Sequence, residues 1–344
     1  MGVEMTDVRR NRAAPVADPT AAPATESAAT DTTTTNAAAT DAPAMDPPEM
    51  LPVPGGTYRM GSDRFYPEER PVHRARVEAF SMDRHPVTNR SFARFVRDTG
   101  WVTVAERVPE PEDYPDVDPA LLVPGSLVFQ QTAGPVDLRD VRQWWRYVPN
   151  ASWRAPEGPG STVAGREDHP VVHVALEDAV AYAEWAGKRL PTEAEWERAA
   201  RGGLDGATYV WGEEPAPAGR PMANTWQGAF PWENLATDGY EGTSPVCVYA
   251  ANGFGLHDVA GNVWEWTSDV YAPRHTHATR KRCCAPGIGR PSPGISTPAI
   301  PRYVVKGGSH LCAPSYCFRY RPAARQGEAA DTSACHIGFR CVAT

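Results

Sequence analysis

The chain has 344 residues, with 34 Lys and Arg against 42 Asp and Glu, and its formal net charge of −8 supplies no basic field of the kind that steers proteins onto nucleic acid. No stretch approaches the ~18 consecutive apolar residues of a membrane span, and the length accommodates one large domain or two small ones. The seven cysteines, Cys247, Cys283, Cys284, Cys312, Cys317, Cys335 and Cys341, are an odd number with no apolar leader of ~7–15 residues ahead of them. That predicts a soluble chain in a reducing cytoplasm rather than a secreted disulfide framework. Cys283 and Cys284 are adjacent, poorly placed to bridge each other, and are read as free loop thiols.

Residues 1–48 are Ala, Thr, Asp and Pro with almost no large apolar side chain, so they bury too little surface to offset ordering entropy and read as a disordered tail. Pro54-Gly55-Gly56 is a turn signal leading into Thr57-Tyr58-Arg59-Met60, and Val72, Val77 and Phe80 mark a second strand-like region. Thr88 then caps a helix with Phe92, Phe95 and Val96 at i, i+3 and i+4, which Gly100 ends.

From about Pro109 to Ser161 the prolines are many and neither helical nor strand period is visible. The aromatic density of Phe129, Trp144, Trp145 and Trp153 argues against disorder. These side chains could wall a peptide groove or simply plug the core of a fold poor in regular structure. Leu176 to Ala186 reads as a helix with Ala179, Val180, Ala183 and Trp185 as candidate inner positions, ended by Gly187. The next helix starts at Thr192, which forms a capping box with Glu195, turns Trp196, Ala199 and Ala200 inward, and stops at Gly202-Gly203. Few helices and many short strands give an α+β fold with high coil content.

Two later loops concentrate oxygen donors among glycines: Asn224-Thr225-Trp226-Gln227-Gly228 with Asp238-Gly239-Tyr240, and Asp258-Val259-Ala260-Gly261-Asn262-Val263-Trp264-Glu265. Either could surround a hard cation, and either could be ordinary Asx turns with surface carboxylates.

The C-terminal run Lys306-Gly307-Gly308-Ser309-His310-Leu311-Cys312-Ala313-Pro314-Ser315-Tyr316-Cys317-Phe318-Arg319-Tyr320-Arg321 is the stretch around which the chain is organised. Pro314 stiffens the segment between the two cysteines, so both sulfurs can be aimed at one point. Two soft thiolates with no nearby third thiol or paired His suit Cu(I) better than the four ligands of structural zinc. The cationic Arg319, Arg321 and Arg325 would favour thiolate over thiol. From spacing alone, a disulfide or two merely buried thiols stays open.

This run, the closing Gly338-Phe339-Arg340-Cys341, and the upstream motifs Pro54 to Gly61, Arg189-Leu190-Pro191-Thr192-Glu193-Ala194-Glu195-Trp196-Glu197 and Gly261-Asn262-Val263-Trp264-Glu265-Trp266 resemble the formylglycine-generating enzymes, bacterial type. The resemblance covers nearly everything after residue 50 and implies one domain over residues 49–344 in a C-type-lectin-like variant fold. It implies an oxidoreductase that uses O2 and copper to convert the cysteine of a Cys-x-Pro-x-Arg motif, in an unfolded sulfatase chain, to Cα-formylglycine. Cys312 and Cys317 would hold Cu(I), leaving it open to the substrate thiolate, with Ser309, Tyr316 and Trp264 lining the pocket. Structural Ca2+ is implied at Asn224, Thr225, Asp238 and Tyr240, and again at Asp258, Val259, Gly261, Val263 and Glu265. The partner would be the sulfatase polypeptide alone, with no nucleic acid or membrane, and the enzyme a monomer.

Two other functions occur on the same scaffold. A non-haem iron sulfoxide synthase would need a His-rich facial site, and the nine histidines show no paired spacing for one. An inactive lectin-like binding paralogue would have no use for both cysteines. The chain also lacks the cysteines that the animal enzymes carry near Ala199 and Pro322, which leaves Cys341 without an evident disulfide partner.

Overall fold

The computed structural model describes residues 48–275 and 300–344, so the tail ahead of Pro48 and the Cys283-Cys284 pair lie outside the described residues. The element order is β1 (Met50–Val53), β2 (Gly56–Met60), β3 (His73–Val77), β4 (Phe80–Asp83), α1 (Asn89–Thr99), β5 (Gly125–Phe129), β6 (Trp145–Pro149), α2 (Leu176–Trp185), α3 (Glu193–Arg201), β7 (Trp264–Val270), β8 (Arg302–Lys306), β9 (Arg325–Ala329), β10 (Ile337–Gly338) and β11 (Val342–Ala343). Short 3-10 turns and irregular chain fill the rest, giving the mixed, coil-rich α+β fold expected.

Local chemistry explains the helices. Thr88 accepts the amide of Ser91 and Gly100 takes the left-handed conformation after α1. Thr192 and Glu195 close their capping box at the start of α3. In α2 the buried face is Asp178, Ala179, Tyr182 and Ala183, while Val180 is exposed, so its inner position was misread. Asp178 is drawn inward because it accepts the Ala175 and Val104 amides and the Trp101 indole N–H.

The sheets are small. β1 and β11 flank β4, while β10, β7, β8 and β9 form a four-stranded sheet in that order. The region around Val77 and Phe80 is two strands in different sheets: β3 pairs with β2, and β4 with β1. The segment 109–161, expected to lack strands, contains the antiparallel pair β5 and β6. Trp153 is not a groove wall. It is 2% exposed in the aromatic core, edge-on to Phe92 at 5.3 Å, with the Arg154 guanidinium over its outer face.

One arrangement positions the site. β8 and β9 run antiparallel with Lys306 opposite Arg325, so the loop 307–324 springs from that pair. Glu193 and Glu197, four residues apart on α3, take one end each. Glu193 accepts from Arg325 Nε and Nη2 at 2.7 and 2.9 Å, and Glu197 from Lys306 Nζ at 3.0 Å and Arg201 Nη2 at 2.7 Å. All five side chains are buried. Such pairs are costly to break one partner at a time, and the base of the loop is therefore held rigidly.

Candidate active site

Gly307 and Gly308 leave β8 with φ of +97° and +71°. A Cβ on Gly308 would sit 2.9 Å from the backbone of Tyr320, so the returning limb of the loop can lie against this turn only because it is glycine. The amides of Tyr316 and Cys317 both donate to the Ala313 carbonyl, folding the stretch after Pro314 into a tight turn. Cys312 and Cys317 consequently meet: their sulfurs are 3.0 Å apart and unbridged. The disulfide alternative does not describe this state.

The two thiols differ. Cys312 is 1% exposed, accepts the Ser309 amide on its sulfur at 3.4 Å, and burial pushes its thiol well above the ordinary value. Cys317 is partly exposed and is lowered to about 7, because its thiolate accepts a hydrogen bond from Cys312 and sits beside the Arg319 guanidinium. Of the three arginines expected to assist, only Arg319 does. Arg321 is spent on Glu69 (2.5 and 3.0 Å) and Arg325 on Glu193.

The segment Tyr66-Pro67-Glu68-Glu69, which sequence reasoning overlooked, braces the loop from the other side. Glu68 accepts from Arg319 at 2.7 Å, the Tyr66 ring lies 3.9 Å beneath that guanidinium, and the Tyr66 hydroxyl accepts the Phe318 amide. No short-range pattern links residues some 250 positions apart, which is why the brace was invisible.

The sulfurs open onto a cavity of about 90 Å3 whose lining includes Ser309, Tyr316, Trp264, Trp144, Trp145 and His336. Every pocket residue expected from the sequence is therefore in its wall. Tyr316 stacks flat on Phe230 at 4.5 Å and stands edge-on to Trp144. The Ser309 hydroxyl accepts the Leu311 amide at 3.3 Å, which leaves its own proton free to donate. His336 and Gln326 also line the cavity and were missed. Neither belongs to the thiol run.

As donors for a metal, the cysteines form a soft pair of the kind that suits a two-sulfur ion such as Cu(I), with no carboxylate in the cavity lining. Among the described residues no three His, Cys, Asp or Glu side chains converge, so the facial site of an iron oxygenase has no candidate there. The oxygen-rich loops are hydrogen-bonded within the protein. Asn224 donates through Nδ2 to the Gly242 carbonyl, and Asp238 accepts from Tyr249 Oη and the Tyr240 amide, so the donors of the first loop are of the hard oxygen type that calcium takes. Glu265 is engaged as an ion-pair carboxylate. Its carboxylate accepts from Arg340 Nε and Nη2 and from Trp196 Nε1 at 2.7–2.8 Å, fully buried. Asp258, near it, accepts the Cys247 amide and is raised to about 6 by burial.

Comparison with known proteins places this geometry among relatives. Residues 35–344 match the family model of the Sulfatase-modifying factor enzyme 1-like domain. The chain is 58% identical over 294 residues to a formylglycine-generating enzyme of Mycobacterium tuberculosis, covering 85% of this chain and 96% of that protein. It is 50% identical over 295 residues to one from Thermomonospora curvata, covering 85% and 92%. Among solved structures, PvdO from Pseudomonas aeruginosa superposes with a TM-score of 0.54 at 24% identity over 86% of this chain and 94% of PvdO, a likeness of fold.

Proposed function

The chain belongs to the sulfatase-modifying factor enzyme 1-like family, and on that premise we propose that it is a formylglycine-generating enzyme acting on the cysteine of a Cys-x-Pro-x-Arg motif in an unfolded sulfatase chain. The observation that carries the reading is the pair of unbridged thiols, 3.0 Å apart, at the wall of an aromatic cavity. In balance, the peptidyl thiol, one O2, two protons and two electrons from an external reductant give the peptidyl aldehyde, one hydrogen sulfide and one water.

Cu(I) held by Cys312 and Cys317 would supply a soft centre at which a substrate thiolate and O2 can meet. The protein's own groups do the rest. Arg319 keeps positive charge beside Cys317 so that a sulfur anion is tolerated there. Ser309 offers a hydroxyl donor, and Tyr316, which burial keeps protonated, offers another. Trp264, Trp144 and Trp145 exclude water and shape the entry for a side chain. Ca2+ at Asn224, Asp238 and the carbonyls of Thr225 and Tyr240 would lock a loop with little regular structure. We place the enzyme in the cytoplasm as a monomer that recognises only the sulfatase polypeptide. No helix among the described residues is long and apolar enough to cross a membrane.

Anaerobic Cu(I) titration with and without a Cys-x-Pro-x-Arg peptide, followed by admission of O2 and a reductant, tests the reading. One Cu(I) per chain and a lighter, hydrazide-reactive peptide are expected. Sulfoxide on a small thiol with no peptide aldehyde would overturn it.

A further inference from the structure

Resting on the reading of this cavity as the site of a peptidyl cysteine, we propose that His336 is a substrate-binding residue whose imidazole hydrogen-bonds the main chain of the entering peptide. His336 lines the same cavity as both thiols. Its position is fixed twice over. The Trp264 amide donates to its carbonyl at 2.8 Å just before β10 joins β7, and its ring lies against Trp145 with centroids 4.8 Å apart. The residue is 5% exposed, yet its Nδ1 has no hydrogen-bond partner among the described residues. A buried polar atom without a partner is costly, and one in the wall of a ligand cavity is satisfied when the ligand arrives.

The chemistry selects the partner. Burial, with His310 and His173 nearby, holds the ring neutral well below its ordinary value, and no carboxylate is among the residues lining the cavity. Held neutral by burial, the His336 ring is assigned to hydrogen bonding with the substrate rather than to taking the proton of its thiol. A neutral imidazole offers one donor and one acceptor to neutral groups, and the neutral polar groups that any peptide brings beside its cysteine are its N–H and C=O.

The test is calorimetric binding of a Ser-x-Pro-x-Arg peptide, in which Ser replaces the reacting Cys, to the full-length chain and to His336→Phe and His336→Asn. Phe preserves the stack on Trp145 without a polar atom, whereas Asn sets an amide where Nδ1 stands. Phe should weaken binding by about 10–100-fold and Asn should recover most of it, as expected for one hydrogen bond made only with ligand. Melting temperature and Cu(I) affinity should match the unaltered chain in both variants. Unaltered binding in His336→Phe, equal losses in Phe and Asn, or a parallel loss of fold or Cu(I) affinity would overturn the proposal, as would failure of the unaltered chain to bind the peptide. If the Ser peptide binds in this pattern but the Cys peptide yields no aldehyde, the assignment of His336 stands and the proposed oxidation falls.

Discussion

Replacing Glu265 by Gln separates a structural carboxylate from a calcium ligand. Its two oxygens take Arg340 Nε, Arg340 Nη2 and Trp196 Nε1, and both Glu265 and Arg340 are fully buried. The remaining Arg340 contacts are carbonyls of Asp83, Arg84 and His257, so Glu265→Gln leaves a buried guanidinium without its counter-ion. Removing one partner of such a pair costs about 3–5 kcal/mol. For a protein of this size each kcal/mol moves Tm by about 2 °C, so a fall of roughly 6–10 °C is expected. Thermal melts with and without excess chelator decide the matter: the variant should drop by that amount in both, and whatever response the unaltered chain shows to chelation should persist. If Glu265→Gln instead melted like the chelated unaltered protein and no longer responded to chelator, the carboxylate would be a metal ligand and the reasoning would be wrong.

Cys312→Ser and Cys317→Ser should each abolish aldehyde formation and Cu(I) binding while keeping Tm, whereas Cys335→Ser and Cys341→Ser, outside the thiol loop, should keep most turnover; mass spectrometry of the peptide product and copper analysis read both. Glu197 is pushed up by burial but more strongly lowered by Lys306 and Arg201, to about 2. Its folded value lies below its unfolded one, so the stability it lends is complete above about pH 4.5 and is lost as pH falls toward 2, on the order of 3 kcal/mol. Acid unfolding followed by circular dichroism should show that loss in the unaltered chain and a flatter slope in Glu197→Gln; identical slopes would count against it. Gly308→Ala should destabilise by about 1–3 kcal/mol, because it meets the Tyr320 backbone at 2.9 Å and an unfavourable φ together, and denaturant titration at wild-type midpoint would refute that.

Features that depend on neighbours a few residues apart were legible in the chain alone. The caps at Thr88 and Thr192, the stops at Gly100 and Gly202, and the inward faces of α1 and α3 could be read because hydrogen bonds and helical period act over three or four positions. The approach of Cys312 to Cys317 could be read for the same reason: five residues, a proline and a Gly-Gly turn confine them. Which charges are free was settled by packing in three dimensions. Arg321 and Arg325 read as helpers of the thiols and proved to be neutralised by Glu69 and Glu193, partners more than 130 residues away. Glu265, a cation ligand by resemblance, is paired with Arg340, and of the two readings left open for Trp153, groove wall or core, packing decides for core. His336 joined the cavity through the parallel pairing of β10 with β7. Ion pairing and burial depend on distance in space, and in a fold with so little regular structure no periodicity in the chain encodes that distance.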